Sequence, residues 1–398
     1  MRKIVISGWY GCGNLGDEAI LLAMLDTFRE RYPDARFVIV SEVPEQVERD
    51  YAGLYPLRGV AQRSYYSPLE FASGLLSGAL PRVWFAIAGA DLFLLGGGGL
   101  LRDNTSRRNL VRILDECTIA RLLGVPVAFF ALGVGPIRTA WGARLIRRAA
   151  NRAAIITVRD RASAELLHSI GVASTPIRVT ADPAFLLRGE DGADGLRRLI
   201  PERLLAEGRL VGVFPCEGLF WGDRGEPVER ARILGEIASL CDRLVRRTAL
   251  TPVFMPLRTG VVGDDDLVVV DEILARMETR PQAIRVPRVP PPKALRSMMA
   301  RFRYVVGARL HSLILAAAAG TPLIGLDYEP KVRHFLGTVG PHGFLADLGD
   351  LSAARCTAFV EDYEAGYESR RAGFSALAAE RARAALTTFD IVAEAARE

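Results

Sequence analysis

Short apolar runs alternate with helix-period segments along the chain, and this alternation is what most constrains its fold. A strand that is apolar on both faces must be covered on both, which calls for a parallel sheet with crossover helices. In the first half the runs fall at residues 3–7, 37–40, 91–95, 127–131, 155–157 and 177–179. Ala181-Asp182-Pro183 breaks the pattern, and the Gly- and Asp-rich residues 189–195 place a linker there. In the second half strands are expected at 210–214, 252–255, 283–286, 304–306 and 322–326. An alanine-rich helical tail follows over 351–398. At 398 residues the chain exceeds one ordinary core. The expected fold is α/β: two doubly wound Rossmann-like domains, residues 1–188 and 189–350, facing a cleft. Ligands should bind at the carboxyl ends of the strands.

The first strand runs into Gly8-Trp9-Tyr10-Gly11-Cys12-Gly13-Asn14-Leu15-Gly16-Asp17-Glu18, and a periodic apolar helix begins there. Gly11, Gly13 and Gly16 satisfy G-x-G-x-x-G, the spacing of a dinucleotide loop. Asp17 and Glu18 argue against that use. They place two carboxylates on the first helical turn, where a pyrophosphate would have to lie. Such acids suit hydroxyl groups, or a cap for their own helix.

Half of the residues are hydrophobic and 24% are charged, the composition of an ordinary globular enzyme. The five cysteines are scattered and odd in number, with no C-x-x-C pair. That pattern fits reduced thiols in a cytosol and excludes a disulfide framework or a metal cluster. No signal peptide is expected, since strand residues begin at Ile4. The longest uncharged run, 310–326, contains His311, Ser312, Gly320 and Pro322 and reads as helix, turn and buried strand. Lysine plus arginine is 51, yet only Lys3, Lys293 and Lys331 are lysines. The net charge of +5 favours anionic partners.

Four segments beyond the first loop sit at strand ends. Gly96-Gly97-Gly98-Gly99 removes every side chain where backbone must approach a ligand, and Arg102-Asp103-Asn104-Thr105-Ser106 adds polar groups or a cap. Gly133-Val134-Gly135-Pro136 reads as a tight turn. Val158-Arg159-Asp160 sends an arginine off a strand end toward the cleft, with Asp160 as a helix cap. Gly307-Ala308-Arg309-Leu310-His311-Ser312 and, after the next strand, Asp327-Tyr328-Glu329-Pro330-Lys331 bring Arg309, His311 and Lys331 to one rim. A guanidinium fork, an imidazole and an ammonium together suit a small, highly anionic substrate with a proton to move. His168, His334 and His342 lack such company.

Taken in order, G-W-Y-G-C-G-N-L-G-D-E-A-I-L, G-G-G-G-L-L-R-D-x-T-S, G-V-G-P-I, V-R-D, A-D-P-A-F, R-L-H-S-L-I and Y-E-P-K-V resemble the polysaccharide pyruvyl transferase family. The CsaB-type enzymes within it are the nearest in pattern. The likeness spans about residues 1–337 and is carried by the joint pattern of the motifs. Glu329, where an aspartate is common, and Cys12, in place of a bulkier residue, depart from it. The resemblance implies a glycosyltransferase-B-like fold and a transferase that uses phosphoenolpyruvate. Such an enzyme places a pyruvate ketal on a sugar of a lipid-linked cell-wall polysaccharide precursor, where the ketal later anchors S-layer-homology proteins. His311 then matches the catalytic histidine, and Arg309, Lys331 and Arg159 match phosphoenolpyruvate-binding positions. Asn14, Asp17, Glu18 and Asn104 would orient the acceptor hydroxyls from the N-terminal domain. No cofactor, no metal and no nucleic-acid partner are expected.

Two other readings stay open. A nucleotide-sugar glycosyltransferase of the same fold would need a carboxylate on ribose hydroxyls, for which Glu329 is the candidate. A non-catalytic glycan-binding protein would not need Arg309, His311 and Lys331 together. A lipid-linked acceptor implies a cytoplasmic protein at the inner face of the membrane. The basic helix over 138–152, with Trp141, and the apolar stretch 65–80 are candidates for contact with anionic lipid.

Overall fold

The structure, a computed structural model, describes residues 1–61, 76, 79–104, 107–190, 200–221, 226–261 and 263–397. It divides into two units, Met1–Leu186 with Arg381–Glu398, and Leu187–Glu380. The N-terminal unit holds β1 (Lys3–Ser7), β2 (Arg36–Ser41), β3 (Leu57–Ala61), β4 (Leu92–Gly96), β5 (Val127–Leu132), β6 (Ile155–Val158) and β7 (Ile177–Val179). They form one parallel sheet in the order β3-β2-β1-β4-β5-β6-β7. The order reverses between β1 and β4, whose carboxyl ends align at Ser7 and Leu95. Ligands of doubly wound sheets bind at such a switch point.

The C-terminal unit repeats the plan with β8 (Leu210–Phe214), β9 (Thr251–Phe254), β10 (Ile284–Arg285), β11 (Phe302–Gly307), β12 (Leu323–Asp327) and β13 (Gly343–Asp347). Its parallel order is β10-β9-β8-β11-β12-β13. Central strands are buried throughout, as in β4, β5, β8 and β12. That is why they read as unbroken apolar runs.

Among the described residues, β3 and β13 were absent from the sequence expectation. Both are edge strands, and both are only partly buried. An edge strand half open to solvent can do without an apolar run, as Leu57–Ala61 does with Arg58 and Gly59 inside it, and periodicity then does not reveal it. His342 is partly buried. Its ring stacks on Phe374 at 5.0 Å and 4°.

The tail does not stand apart from residue 351. Helix Ala353–Glu364 and the first part of helix Tyr367–Ala395 belong to the C-terminal unit, where Tyr363 and Tyr367 pack edge-on to Tyr304. Residues 381–398 belong to the N-terminal unit. There Phe389 is fully buried, edge-on to Phe28 at 4.8 Å and to Phe130 at 4.9 Å. Burying one such ring is worth about 2–3 kcal/mol, with about 1 kcal/mol more for each edge contact, enough to hold a chain end in place. Most of the expected linker 189–195 and most of the apolar stretch 65–80 lie outside the described residues, as do Thr105 and Ser106.

Candidate active site

In the C-terminal unit β11 and β12 pair in register, Val306 with Ile324 and Gly307 with Gly325. Their carboxyl ends emerge side by side. At Gly307 a Cβ would stand 2.3 Å from the Ser312 hydroxyl, so any side chain there would force its neighbours to shift. The chain turns at once into helix Leu310–Ala318, with Arg309 at its cap position and His311 in its first turn. Lys331 lies in the first turn of helix Pro330–Val339, its Nζ 2.7 Å from Glu329 and 5.7 Å from the Tyr328 ring centre. Arg309, His311 and Lys331 thus share one end of one sheet.

Arg309 does not stand open. Its Nε donates to Asp266 at 2.9 Å, and its Nη2 donates to Asp266 at 2.7 Å and to Asp264 at 2.6 Å. Asp266 is fully buried and also accepts the N–H groups of Leu257 and Arg258 at 2.9 and 3.0 Å. Burial lowers the pKa of Arg309, but the carboxylates beside it, Asp266 foremost, outweigh that and hold it well above the ordinary value. Beside it the Cys216 thiol is pushed up to about 12, by burial first, and so carries no charge. Arg258, at 2.6 Å from Asp264, completes the network. These acids went unread in the sequence, although Gly263-Asp264-Asp265-Asp266 is a visible signal, with Asp265 capping helix Asp266–Leu274.

An aromatic floor adjoins this network. Tyr328 is buried and presses on Gly218, where a Cβ would come within 2.5 Å of the ring. Trp221, half exposed, meets Tyr328 edge-on at 6.3 Å. Arg230 binds Glu217 and Glu272 and lies 4.0 Å from the Phe220 ring centre, which braces the turn Glu217–Phe220.

The remaining predicted residues belong to the N-terminal unit. Asn14 caps helix Leu15–Arg31 through Gly16 N–H and donates its amide to Asp17 at 2.6 Å. Asp17 is buried against Gly98, whose φ is +81° and whose Cβ would stand 2.6 Å from Asp17 Oδ1. Here the glycine run of 96–99 is used, because two backbone loops meet over a carboxylate.

Glu18 has partners within its own unit. It turns into the fold, where it accepts from Gly11 N–H at 2.6 Å and from the Tyr51 hydroxyl at 2.5 Å. Its pKa is pushed up to about 7, by burial first, against the pull of those two donors. Each carboxyl oxygen is thus engaged, one by its own loop and one by helix Pro44–Tyr51, so Glu18 supports the loop from within.

Arg159 is held by an ion pair within the N-terminal unit. Its side chain is 8% exposed and its Nη1 bonds Asp182 at 2.9 Å. It lies over Gly133, where a Cβ would come within 2.6 Å of Nη2. Asp182 comes from the Ala181-Asp182-Pro183 break, so that motif serves to hold the arginine. Asp160 caps helix Arg161–Ser169 through Ser163 N–H at 2.7 Å. Asn104 is exposed, while its neighbour Asp103 accepts from the N–H groups of Arg138 and Thr139, both at 2.7 Å. A polar group at the switch point was missed: Ser7 donates to Glu116, and Arg112 of the same helix pairs with Glu42. Among the described residues no group of three or more His, Cys, Asp or Glu side chains could hold a metal ion.

Residues 14–330 match the sequence model of the polysaccharide pyruvyl transferase family, a span that takes in Asn14, Arg159, Arg309 and His311 and ends one residue before Lys331. No curated protein sequence matches the chain. Among solved structures, it resembles Anabaena Alr3699/HepE, crystallised in complex with UDP-glucose, with a TM-score of 0.62, 15% identity and 99% of each chain covered. UDP-GlcNAc 2-epimerase from Neisseria meningitidis, bound to UDP-GlcNAc, gives a TM-score of 0.60 at 13% identity, again over 99% of each chain. A glycosyltransferase from Rickettsia africae ESF-5 gives 0.60 at 11% identity, over 99% of this chain and 98% of that one. These likenesses establish the fold, the glycosyltransferase-B-like α/β arrangement expected from the sequence.

Proposed function

The chain belongs to the polysaccharide pyruvyl transferase family, and from that premise we propose that it moves pyruvate from phosphoenolpyruvate onto a sugar of a cell-wall polysaccharide precursor as a ketal, releasing phosphate. The observation that carries this reading is the convergence of Arg309, His311 and Lys331 on the carboxyl ends of two adjacent strands. Phosphoenolpyruvate presents a phosphate and a carboxylate, for which a guanidinium and an ammonium are the natural partners. Its methylene carbon must gain a proton before C2 becomes electrophilic, and His311 is the general acid. One sugar hydroxyl adds to C2, the C2–O bond to phosphate breaks, and a second hydroxyl closes the ketal. Of the two hydroxyl protons, one balances the proton given to the methylene and the other leaves with phosphate. Asn14, Asp17 and Asn104 orient the acceptor, with Glu18 as support beneath them. The resemblance also assigns Arg159 to the donor, and its ion pair with Asp182 fixes its guanidinium. No cofactor or metal enters this scheme.

The precursor is lipid-linked in this reading, and the protein works in the cytoplasm at the inner face of the membrane, in the manner of CsaB-type enzymes. Among the described residues no helix is long and apolar enough to cross a membrane. What supports a surface contact is helix Ala140–Ala150, which buries Ile146 and Ala150 and exposes Arg144, Arg147, Arg148 and Trp141. A second reading, transfer from a nucleotide sugar, is favoured by the UDP-sugars bound to the Anabaena and Neisseria proteins.

The deciding experiment offers the protein phosphoenolpyruvate or UDP-glucose together with a lipid-linked glycan, and follows phosphate, UDP and the mass of the glycan. Phosphate release with gain of a pyruvyl ketal supports the proposal. UDP release with gain of a hexose replaces it with the second reading. His311→Gln should bind phosphoenolpyruvate yet release no phosphate, and near-normal turnover would remove His311 from the general-acid role.

A further inference from the structure

We propose that Asp264 is a built-in stand-in for the donor's anionic groups, and that Arg258 joins Arg309 as a second donor-binding guanidinium. The proposal rests on phosphoenolpyruvate being the donor. The two oxygens of Asp264 are shared out: Oδ2 accepts from Arg258 Nη1 and Oδ1 from Arg309 Nη2, each at 2.6 Å. A phosphate or carboxylate bridging two arginines would make the same pair of contacts. The two arginines come from different strand ends, Arg258 beyond β9 and Arg309 beyond β11, on either side of β8.

The two aspartates of the network are not equivalent. Asp266 is fully buried, tied to two backbone N–H groups, and bonded to both Nε and Nη2 of Arg309. It is the anchor that keeps the guanidinium oriented. Asp264 is 13% exposed, and its side chain makes its two ion pairs directly after Gly263, which is at positive φ. Arg258 is 22% exposed, and among the described residues its buried Nε has no hydrogen-bond partner. A buried guanidinium nitrogen left unmatched is costly, and an incoming anion could satisfy it. Displacing Asp264 therefore leaves Arg309 held by Asp266 and frees one donor on each arginine for the ligand. While Asp264 stays, its charge competes with the substrate for the same two forks. A carboxylate in this position keeps two converging arginines neutralised between turnovers.

Calorimetric titration of phosphoenolpyruvate into the whole protein tests this. Asp264→Asn should bind the donor about tenfold tighter than the wild type, and Arg258→Gln, which leaves Asp264 on Arg309, about tenfold weaker, the worth of one charge-assisted hydrogen bond. Inorganic phosphate should rank the three proteins in the same order. Wild type that binds while Asp264→Asn binds equally or more weakly overturns the stand-in and leaves the proposed function intact. Failure of all three proteins to bind phosphoenolpyruvate removes the functional reading and the proposal with it. If Asp264→Asn does not fold, Arg258→Gln decides, and an unchanged donor affinity overturns the proposal.

Discussion

Replacing Glu18 by Gln isolates what the buried carboxyl does beneath the glycine-rich loop. Burial raises its pKa from 4.5 to about 7, while Gly11 N–H and the Tyr51 hydroxyl pull it back. A carboxyl whose pKa is raised by folding contributes stability that is fully present below about pH 4.5. That contribution is lost as pH rises through about 7. At about 1.4 kcal/mol per pH unit, the loss is roughly 3 kcal/mol. For a unit of this size 1 kcal/mol moves the melting temperature by about 2–4 °C, so the full effect is about 6–12 °C. Gln keeps an acceptor oxygen for the loop or for Tyr51 but has no proton to lose. Thermal unfolding of both proteins, followed from about pH 4 to about pH 8, measures the difference. The melting temperature of Glu18→Gln minus that of the wild type should climb by that amount across the range. Parallel curves would refute the reasoning, because they would mean that Glu18 ionises freely and reaches solvent.

Three further outcomes follow from the geometry. Arg309→Met leaves Asp266 buried without its cation and should cost about 3–5 kcal/mol in urea unfolding, whereas a loss below about 1 kcal/mol would mean that the fork is not structurally engaged. Gly98→Ala sets a Cβ at positive φ and 2.6 Å from Asp17, and should cost about 1–3 kcal/mol. Gly99→Ala, with nothing within 4 Å, is the neutral control, and equal behaviour of the two would contradict the packing of Asp17. Sedimentation with phosphatidylglycerol vesicles at low salt should carry the protein down. Neutralising Arg144, Arg147 and Arg148 should abolish this, at about 1 kcal/mol per charge, and binding that survives the triple change would place the contact elsewhere.

The central strands were legible because a strand buried on both faces leaves an unbroken apolar run, as Ile4-Val5-Ile6 and Phe93-Leu94-Leu95 do. The strand ends followed from them, and with those ends the positions of Arg309, His311 and Lys331. The edge strands Leu57–Ala61 and Gly343–Asp347 left no such trace, since solvent covers part of what a neighbouring strand would otherwise cover. The motif pattern also carried the family, because ordered short segments survive where overall identity does not.

What each site residue touches was decided only in three dimensions. The sequence places Asp17 and Glu18 together on one helical turn, yet Tyr51, arriving from another helix, turns Glu18 inward, and Gly98 sets Asp17 under a different loop. Arg309 meets Asp264 and Asp266 across separations of 45 and 43 residues, and Arg159 meets Asp182 across 23. Local pattern reports the average environment along a strand or helix, which repeats with the backbone period. An ion pair depends on two single residues far apart in the chain, and no period records it. The sequence by itself therefore determined the architecture and which residues stand at the strand ends, while the tertiary structure alone decided which charge pairs with which.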